Sequence, residues 1–403
     1  MKTNSPGEAT LDERAALLDR TRALKMARST HAYVRGNTAK FYEWLDASPV
    51  ARALPVGPPV WICGDCHLGN LGPVADIEGS VAIQIRDLDQ TVIGNPAHDL
   101  IRLGLSLATA ARGSDLPGVT TARMVEEMAD GYRLALSDPD QEQAAPEPGV
   151  VRSVRRRALG RKWKHLAEER IDDVTPTIPL GKKFWAPREE ERAALDALFE
   201  DEEIRRSLVM LNGRADEDGI KLLDAAYWMK GCSSLGTLRF AALVRIGNSR
   251  SAKLALVDIK EAVAAIAPPA KGIEMPADNA ERVVTGARAL SPNLGDRMLP
   301  VQLLGKSAVM RELMPQDLKL EVDQFSREEA TRAAKYLAYV VGRAHARQME
   351  AEAVREWRHI LADHRGAGID APSWLWKGVV DLTASHEAGY LEHCRRYALS
   401  VAA

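Results

Sequence analysis

The sequence predicts an α+β protein, because a run of strand-like segments lies between two regions of helical periodicity. In residues 10–48, apolar side chains recur at spacings of three and four among charged ones, as in amphipathic helices. Residues 222–261 contain three short apolar runs joined by glycine-containing turns, which is typical of strands. Residues 326–362 return to a helical pattern. We therefore expect a β-rich unit between helical units.

Composition narrows the class of protein. A chain of 403 residues is long enough for two or three structural units. Its 54 Lys and Arg against 56 Asp and Glu give a net charge of -2, so no basic field favours nucleic acid or an anionic membrane. The N-terminal residues lack the apolar stretch of a signal peptide, no apolar run approaches about 20 residues, and the four cysteines are too few for a disulfide framework. We expect a cytoplasmic protein without nucleic-acid or membrane partners.

Further elements follow from the same patterns. Short strands are expected at 60–62 and 80–85, and each is followed by polar residues. Helices are expected from Asp99 onward, at 121–137, 188–211 and 278–289, and after Pro372. The segments MLPVQLL and SAVMREL predict two more strands.

Polar residues with a defined spacing follow the first two strands. Asp65 and Asn70 lie five positions apart in the segment GDCHLGN, and Asp87 stands at the end of the next strand. Phosphoryl transfer needs an acid that orients or deprotonates the attacking hydroxyl, and oxygen ligands that hold Mg²⁺ on the phosphates. Each residue taken singly is more often a turn residue. Their combination indicates phosphoryl transfer.

These residues carry a resemblance to a known superfamily. GDCHLGN resembles the GDxHxxN catalytic loop of aminoglycoside phosphotransferases and choline kinases, and IRDLDQTVIGNPAHDLIRL resembles their metal-binding segment. The resemblance implies that Asp65 is the catalytic base, that His67 positions the loop, and that Asn70 and Asp87 bind magnesium. It also implies that Asp99, twelve positions after Asp87, braces the loop.

A closer resemblance covers most of the chain. AYVRGN, WICGDCHLGNLG, IRDLDQT, KGCSSLGT and DIKEA are similar to the bacterial domain-of-unknown-function family 2252. That resemblance implies no substrate. The chain has IRDLDQT where NDFDET is expected, so either Asp87 or Asp89 is the main metal ligand.

The nucleotide-binding residues are expected downstream. Lys260 in ALVDIKEA resembles the strand lysine of a VAIK motif, which contacts the α- and β-phosphates, and Glu281 would be its helix partner. In KGCSSLGT the backbone is expected to approach phosphate at Gly231, Ser233, Ser234 and Gly236. VMREL resembles a hinge that contacts adenine through Glu312 and Leu313. Alternatively, the glycines form only a hairpin turn, and Lys260 is a solvated strand-end residue.

The order of these motifs is unusual, because Asp65 precedes Lys260. AYVVGRAHARQ at 338–348 resembles the helix that ordinarily comes just before the catalytic loop. The sequence therefore predicts a two-lobed protein-kinase-like fold with circularly permuted lobe order. The expected parts are an N-terminal helical segment at 1–59, a catalytic-loop and metal-binding helical lobe at 60–221, a small β-rich nucleotide-binding lobe at 222–318, and helices completing the large lobe at 319–403.

The predicted activity is an ATP- and Mg²⁺-dependent transfer of phosphate to a hydroxyl of a small-molecule acceptor. Three alternatives stay open: transfer of AMP, a nucleotide-binding regulatory pseudokinase, and thiol-disulfide exchange at Cys63 and Cys66, which form a CxxC motif. Arg35 in THAYVRGN either binds a phosphate or carboxylate through its planar fork or braces the N-terminal helix against the core through a carboxylate.

Overall fold

The chain contains both helices and strands, so the predicted α+β class is confirmed. The computed structural model describes residues 11–137, 145–170, 177–210, 219–230, 235–247, 252–320, 326–362 and 368–402.

Four helices begin the described chain: α1 (Leu11–Met26), α2 (Thr30–Gly36), α3 (Thr38–Ala47) and α4 (Pro49–Arg52). Two polar side chains divide the helical stretch that the periodicity of 10–48 predicts. Ser29 Oγ accepts a hydrogen bond from the Ala32 amide at 3.1 Å, and Asn37 Oδ1 accepts one from the Lys40 amide at 3.1 Å. Because such side chains satisfy amides that lack a partner at a helix start, each of them begins a new helix.

Two antiparallel strand pairs surround the GDCHLGN loop. Strand β1 (Val60–Ile62) pairs with β4 (Val92–Gly94), and β2 (Leu71–Ala75) pairs with β3 (Val81–Ile85), with a 3₁₀ turn at Leu68–Asn70 between them. The predicted strands β1 and β3 are confirmed. The sequence did not predict β2, because Gly72 and Pro73 disfavour strands, or β4, which has only three residues.

Eleven further helices complete the helical part of the described chain. They are α5 (Pro96–Gly113), α6 (Gly118–Ala135), α7 (Gly149–Leu159), α8 (Trp163–Arg170), α9 (Glu189–Glu200), α10 (Glu202–Met210), α11 (Asn279–Leu290), α12 (Pro292–Gly295), α13 (Arg327–Ala346), α14 (Ala351–Ala362) and α15 (Ser373–Ala402). The helices predicted at 121–137 and 278–289 and after Pro372 are confirmed. Those predicted at 188–211 and 326–362 are each divided in two.

The first and last parts of the chain share one hydrophobic core. Phe41 of α3, Ile62 of β1, Leu100 of α5, Leu337 of α13 and Leu375 of α15 all belong to it and are buried. Burial of this apolar surface provides the main driving force for holding the elements together. The GDCHLGN loop and the C-terminal helices are therefore parts of one packed unit.

Six strands form an antiparallel sheet in the order β5-β6-β7-β8-β10-β9. They are β5 (Phe184–Trp185), β6 (Ile220–Trp228), β7 (Arg239–Ile246), β8 (Lys253–Glu261), β9 (Met298–Leu303) and β10 (Lys306–Glu312). The strands predicted from β6 to β10 are confirmed. Strand β5 comes from the stretch predicted as a helical lobe, and its two residues are too few for a periodic signal.

Strand β8 presents different chemistry on its two faces. Val257 and Ile259 pack on one face in a core with Phe240, whereas Leu256 packs on the other face with Trp228. Successive side chains of a strand point to opposite faces, so Asp258 and Lys260 project on the Leu256 face. Helix α11 follows β8 and leads to β9.

Candidate active site

Gly64 allows the sharp turn that begins the GDCHLGN loop. Its φ is +73°, a conformation that strains residues with a side chain, and a Cβ there would overlap the Gln90 carbonyl oxygen. The Tyr42 hydroxyl donates a hydrogen bond to the Gly64 carbonyl at 2.6 Å, and the Leu68 amide donates to Ser106 Oγ at 3.0 Å. The backbone of the loop is therefore fixed by α3 and α5.

Asp99 of α5 braces the same loop from below β1. Its Oδ2 accepts a hydrogen bond from the Cys63 amide at 2.7 Å, and its Oδ1 accepts one from the Gly64 amide at 3.0 Å. His345 Nε2 of α13 lies 3.2 Å from Asp99 Oδ2, and His345 Nδ1 lies 2.8 Å from the Tyr132 hydroxyl. A helix 246 positions further along the chain thus supports the loop through one buried carboxylate.

Asp65 is held by side chains from two helices. Arg102 Nε donates to Asp65 Oδ1 at 2.9 Å, and Thr38 Oγ1 donates to Asp65 Oδ2 at 2.8 Å. Burial raises the pKa of Asp65 above its ordinary value, although Arg102 opposes this effect. A carboxylate with a raised pKa is a better proton acceptor, so this environment suits a general base.

Asn70 and His67 complete the loop. Asn70 Nδ2 donates to the Asp65 carbonyl at 3.0 Å, which leaves the Asn70 amide oxygen for another partner. His67 Nε2 lies 3.9 Å from Asp65 Oδ2. Burial, together with the charges of Arg102 and Arg35, lowers the pKa of His67 well below its ordinary value. His67 is therefore neutral beside Asp65.

Lys260 of β8 meets two carboxylates that follow β3. Its Nζ lies 3.5 Å from Asp87 Oδ1 and forms an ion pair with Asp89 Oδ2. Partial burial raises the pKa of Asp87, but the charges of Lys260 and Arg239 outweigh it and hold that pKa below its ordinary value. Burial and the negative charge of Asp87 raise the pKa of Asp89. The Asp87 side chain is 48% exposed and therefore accessible to a ligand.

A cleft of about 210 Å³ joins these groups. Its lining residues come from the N-terminal helices, the GDCHLGN loop, the segment after β3, and the sheet: Arg22, Gly36, Thr38, Ala39, Asp65, Asn70, Asp87, Asp89, Gln90, Thr237, Lys260, Glu261, Val263, Ala264 and Ile266. A second, smaller cleft of about 50 Å³ shares Asp87, Asp89, Lys260 and Glu261 with the first. The two clefts therefore adjoin each other at these residues, and together we call them the groove.

Charged residues that the sequence analysis missed line the second cleft. Arg239 donates to Asp258 Oδ1 at 2.9 Å and to Oδ2 at 2.6 Å, and Arg311 donates to Oδ2 at 3.2 Å. Although burial raises the pKa of Asp258, the two arginines hold it well below its ordinary value. The sequence could have identified Asp258 as a groove residue, because it lies two positions before Lys260 and therefore on the same face of the strand.

Arg102 and Thr38, which hold Asp65, were also missed. Arg102 had a detectable signal, because it is the one charged residue in the apolar helical run 100–111. Nothing in the sequence marked Thr38, because threonine is common at helix starts and its contact with Asp65 spans 27 positions.

The structure places the other predicted nucleotide-binding residues outside these contacts. Glu281 is exposed on α11, and no ion pair joins it to Lys260 within the described ranges. Leu313 packs in the core beside Trp228 and Leu256, and its amide donates to the Leu256 carbonyl at 2.8 Å. The Glu312 carbonyl accepts a hydrogen bond from Arg297 at 2.9 Å, and neither Glu312 nor Leu313 lines the groove. An adenine held there would have to replace the Leu313 bond.

The glycine segment is described only in part. Gly231, Ser233 and Ser234 lie outside the described residues. Gly236 has a φ of +105° and open space where a Cβ would lie, and the adjacent Thr237 lines the groove. The described end of this segment therefore reaches the same cleft as Lys260.

The CxxC cysteines are buried thiols. Cys63 is fully buried and Cys66 is 1% exposed. The hydrogen bond with Cys66, together with burial, raises the pKa of Cys63 well above its ordinary value. Reactive cysteines in exchange reactions have a lowered pKa and are accessible, so this environment is opposite to theirs.

The helices of the described chain include none that is long and apolar enough to cross a membrane.

Comparison with known proteins places the chain in a family. The family model described as "Uncharacterized protein conserved in bacteria (DUF2252)" matches residues 14–396, a range that contains all the groove residues. No curated protein and no solved structure matches the chain. The match covers nearly all of the 403 residues and confirms the resemblance in AYVRGN, IRDLDQT and the other motifs. The chain therefore belongs to the bacterial family DUF2252.

Proposed function

We propose that the chain is an ATP- and Mg²⁺-dependent phosphotransferase that acts on a hydroxyl of a small-molecule acceptor. One observation carries this proposal: a single cleft gathers Asp65, Asn70, Asp87 and Lys260, although Lys260 lies 173 positions after Asp87. A base, oxygen ligands and a cation are the groups that phosphoryl transfer requires.

In this reaction Asp65 takes the proton of the acceptor hydroxyl. The acceptor oxygen forms a bond to the γ-phosphorus while the bond from that phosphorus to the β,γ-bridging oxygen breaks, and ADP leaves. Lys260 neutralises charge on the phosphates that stay with ADP. Thr38 and Arg102 keep the Asp65 carboxylate in place during the proton transfer.

The residues present fit magnesium. Asn70 supplies an amide oxygen, and Asp87 and Asp89 supply carboxylates, which are the hard oxygen ligands that Mg²⁺ prefers. Among the described residues no group of three or more His, Cys, Asp or Glu could hold a metal. Magnesium in nucleotide enzymes is typically bound by one or two carboxylates plus substrate phosphates, so two carboxylates and an amide are sufficient. Bound Mg²⁺ would neutralise charge on the transferred phosphate.

The arrangement of elements supports a permuted, two-lobed kinase-like fold. Lys260 lies on the third strand of the series β6, β7 and β8, and helix α11 follows, as the lysine strand and its following helix do in protein kinases. Helix α13 contacts Asp99, which braces the GDCHLGN loop, through His345, although this helix comes near the end of the chain. In an unpermuted chain this helix would come just before the loop.

The test is ATP turnover by the full chain in the presence of Mg²⁺ and a low-molecular-weight bacterial extract as a source of acceptor. Asp65→Asn and Asp87→Asn should each lower ADP formation by about a hundredfold, because one removes the base and the other a metal ligand. Asp46→Asn is the matched control, since Asp46 is exposed and is not one of the residues that line the groove. Unchanged turnover in both active-site variants contradicts the proposal.

Labelled ATP separates the alternatives. Label from the γ-phosphate should appear on the acceptor, whereas transfer of label from the α-phosphate would indicate AMP transfer. A regulatory protein would bind Mg²⁺ and ATP, seen as a rise in melting temperature, but would show no turnover that depends on Asp65.

A further inference from the structure

Two arginines of the N-terminal helices lie close to the GDCHLGN loop, and neither has an acidic partner among the described residues. Arg22 of α1 lines the cleft together with Thr38 and Asp65. Arg35 of α2 lies against the GDCHLGN loop, where a Cβ on Gly69 would be 2.8 Å from the Arg35 Cζ. Neither arginine forms an ion pair within the described part of the chain, so the predicted carboxylate brace for Arg35 is not formed there.

Several nitrogens around these arginines lack hydrogen-bond partners. Arg22 Nε, His31 Nδ1 and His67 Nδ1 are buried and have no partner in the ranges that the structure describes. Burial, together with the charges of Arg35 and Arg102, lowers the pKa of His31 to about 4. Because a buried donor without a partner is unfavourable, this region has both uncompensated positive charge and unused hydrogen-bonding capacity. A bound anion would supply a negative charge for the arginines and hydrogen-bond acceptors for the nitrogens without partners.

Most positive charges elsewhere in the groove have acidic partners. Lys260 is paired with Asp87 and Asp89, and Arg239 and Arg311 are paired with Asp258. Arg86, which lines the second cleft, forms no ion pair among the described residues, but it donates a hydrogen bond to the Asp317 carbonyl at 3.1 Å. The lysine that would contact the nucleotide phosphates is therefore already paired, whereas the two arginines beside the GDCHLGN loop are not.

We propose that Arg22 and Arg35 bind an anionic group of the acceptor, a phosphate or a carboxylate, next to its reacting hydroxyl. The proposal rests on the proposed function, in which the acceptor hydroxyl meets Asp65. Arg22, Thr38 and Asp65 line the same cleft, so an acceptor whose hydroxyl meets Asp65 shares that cleft with Arg22. The planar fork of arginine matches phosphate and carboxylate oxygens. The acceptor class is then a small hydroxylated phosphate or hydroxy acid.

The test measures binding of two probes, inorganic phosphate and malonate, to the full chain by calorimetry at constant ionic strength. Arg22→Gln and Arg35→Gln should each weaken binding of the better probe about tenfold or more, because each removes a charge-assisted contact. Arg52→Gln is the matched control, since Arg52 is exposed on α4 and the substitution changes the net charge equally. If either glutamine variant fails to fold, Arg22→Lys and Arg35→Lys test loss of the fork with charge retained.

A second arm adds Mg²⁺ and a non-hydrolysable ATP analogue. Anion binding that is unchanged by the analogue supports an acceptor subsite. Competition between the probe and the analogue would assign the arginines to the nucleotide and overturn the proposal, as would equal probe binding in all the arginine variants or no binding by the unaltered chain. If the analogue does not bind but the anion still requires both arginines, the proposed function fails while the anion site stands.

Discussion

The pair of Asp65 and Arg102 stabilises the GDCHLGN loop and fixes the carboxylate that we propose as the base. Arg102 is fully buried, and it also donates to the Val34 carbonyl of α2. Two buried charges are tolerated only when they are paired and hydrogen-bonded, because removing them from water is costly. The contact of Thr38 with the other Asp65 oxygen satisfies this condition from a third element. The pair therefore joins α2, α5 and the GDCHLGN loop.

Arg102→Met should lower the free energy of unfolding by about 3–5 kcal/mol, because it leaves the buried Asp65 carboxylate without its partner. Urea unfolding measures this change. The double variant Asp65→Asn/Arg102→Met should lose less than the sum of the two single losses, since the uncompensated charge is also removed. Strict additivity would contradict the coupling of the two residues.

At the scale of elements, close contact between α6 and α13 places His345 beside Asp99, which braces the GDCHLGN loop. A Cβ on Gly131 of α6 would overlap the Lys335 carbonyl oxygen of α13, and a Cβ on Gly342 would lie 3.0 Å from the Tyr132 carbonyl oxygen. Glycine allows the two backbones to approach because it has no side chain. This approach brings His345 within reach of Tyr132 and Asp99.

Gly131→Ala should destabilise the protein by about 1–3 kcal/mol, because the added methyl group has no room between the two helices. This result is opposite to the gain of up to about 1 kcal/mol that alanine ordinarily gives over glycine in a helix. Gly113→Ala at the exposed end of α5 is the control, since open space surrounds its Cβ position. Thermal unfolding compares the two, and equal stability of both variants would show that the helix contact is looser than described.

At the scale of the whole molecule, buried neutral histidines make stability depend on pH. Burial is the main cause that lowers the pKa of His31 to about 4, of His98 to about 4 and of His386 to about 3. His386 of α15 faces Tyr33, and the charges of Arg102 and Lys40 act in the same direction as its burial. The unfolded chain therefore binds more protons than the folded chain between pH 6.5 and these values.

The free energy of unfolding should fall as the pH decreases from about 6.5 towards 4, since the contribution of each histidine is complete above its unfolded pKa. Each histidine with a lowered pKa changes the free energy of unfolding by about 1.4 kcal/mol per pH unit in this window. His386→Leu should reduce the total slope by about that amount. His359→Asn, at an exposed position of α14, should leave the slope unchanged. Urea unfolding at several pH values measures both slopes, and an identical slope in the His386 variant would contradict this origin.

Most helices and the longer strands follow from local patterns in the sequence. The amphipathic periodicity of α13 and the strand-like runs of β6 to β8 are properties of neighbouring residues, so they can be recognised without tertiary contacts. The strands β2, β4 and β5 were not predicted: Gly72 and Pro73 disfavour a strand in β2, β4 ends in a glycine after two apolar residues, and β5 has only two residues. Their conformation depends on pairing with segments elsewhere in the chain.

The sequence by itself identified Asp65, Asn70, Asp87 and Asp89 as candidate site residues and predicted the strand that carries Lys260, because motif spacing and strand alternation are local. Only the tertiary structure decided that Lys260 pairs with Asp89, that His345 supports Asp99, and that the Leu313 amide is bonded within the sheet. Those contacts join residues far apart in the chain or depend on which strands become neighbours. Packing of the whole core, rather than any one segment, brings such partners together.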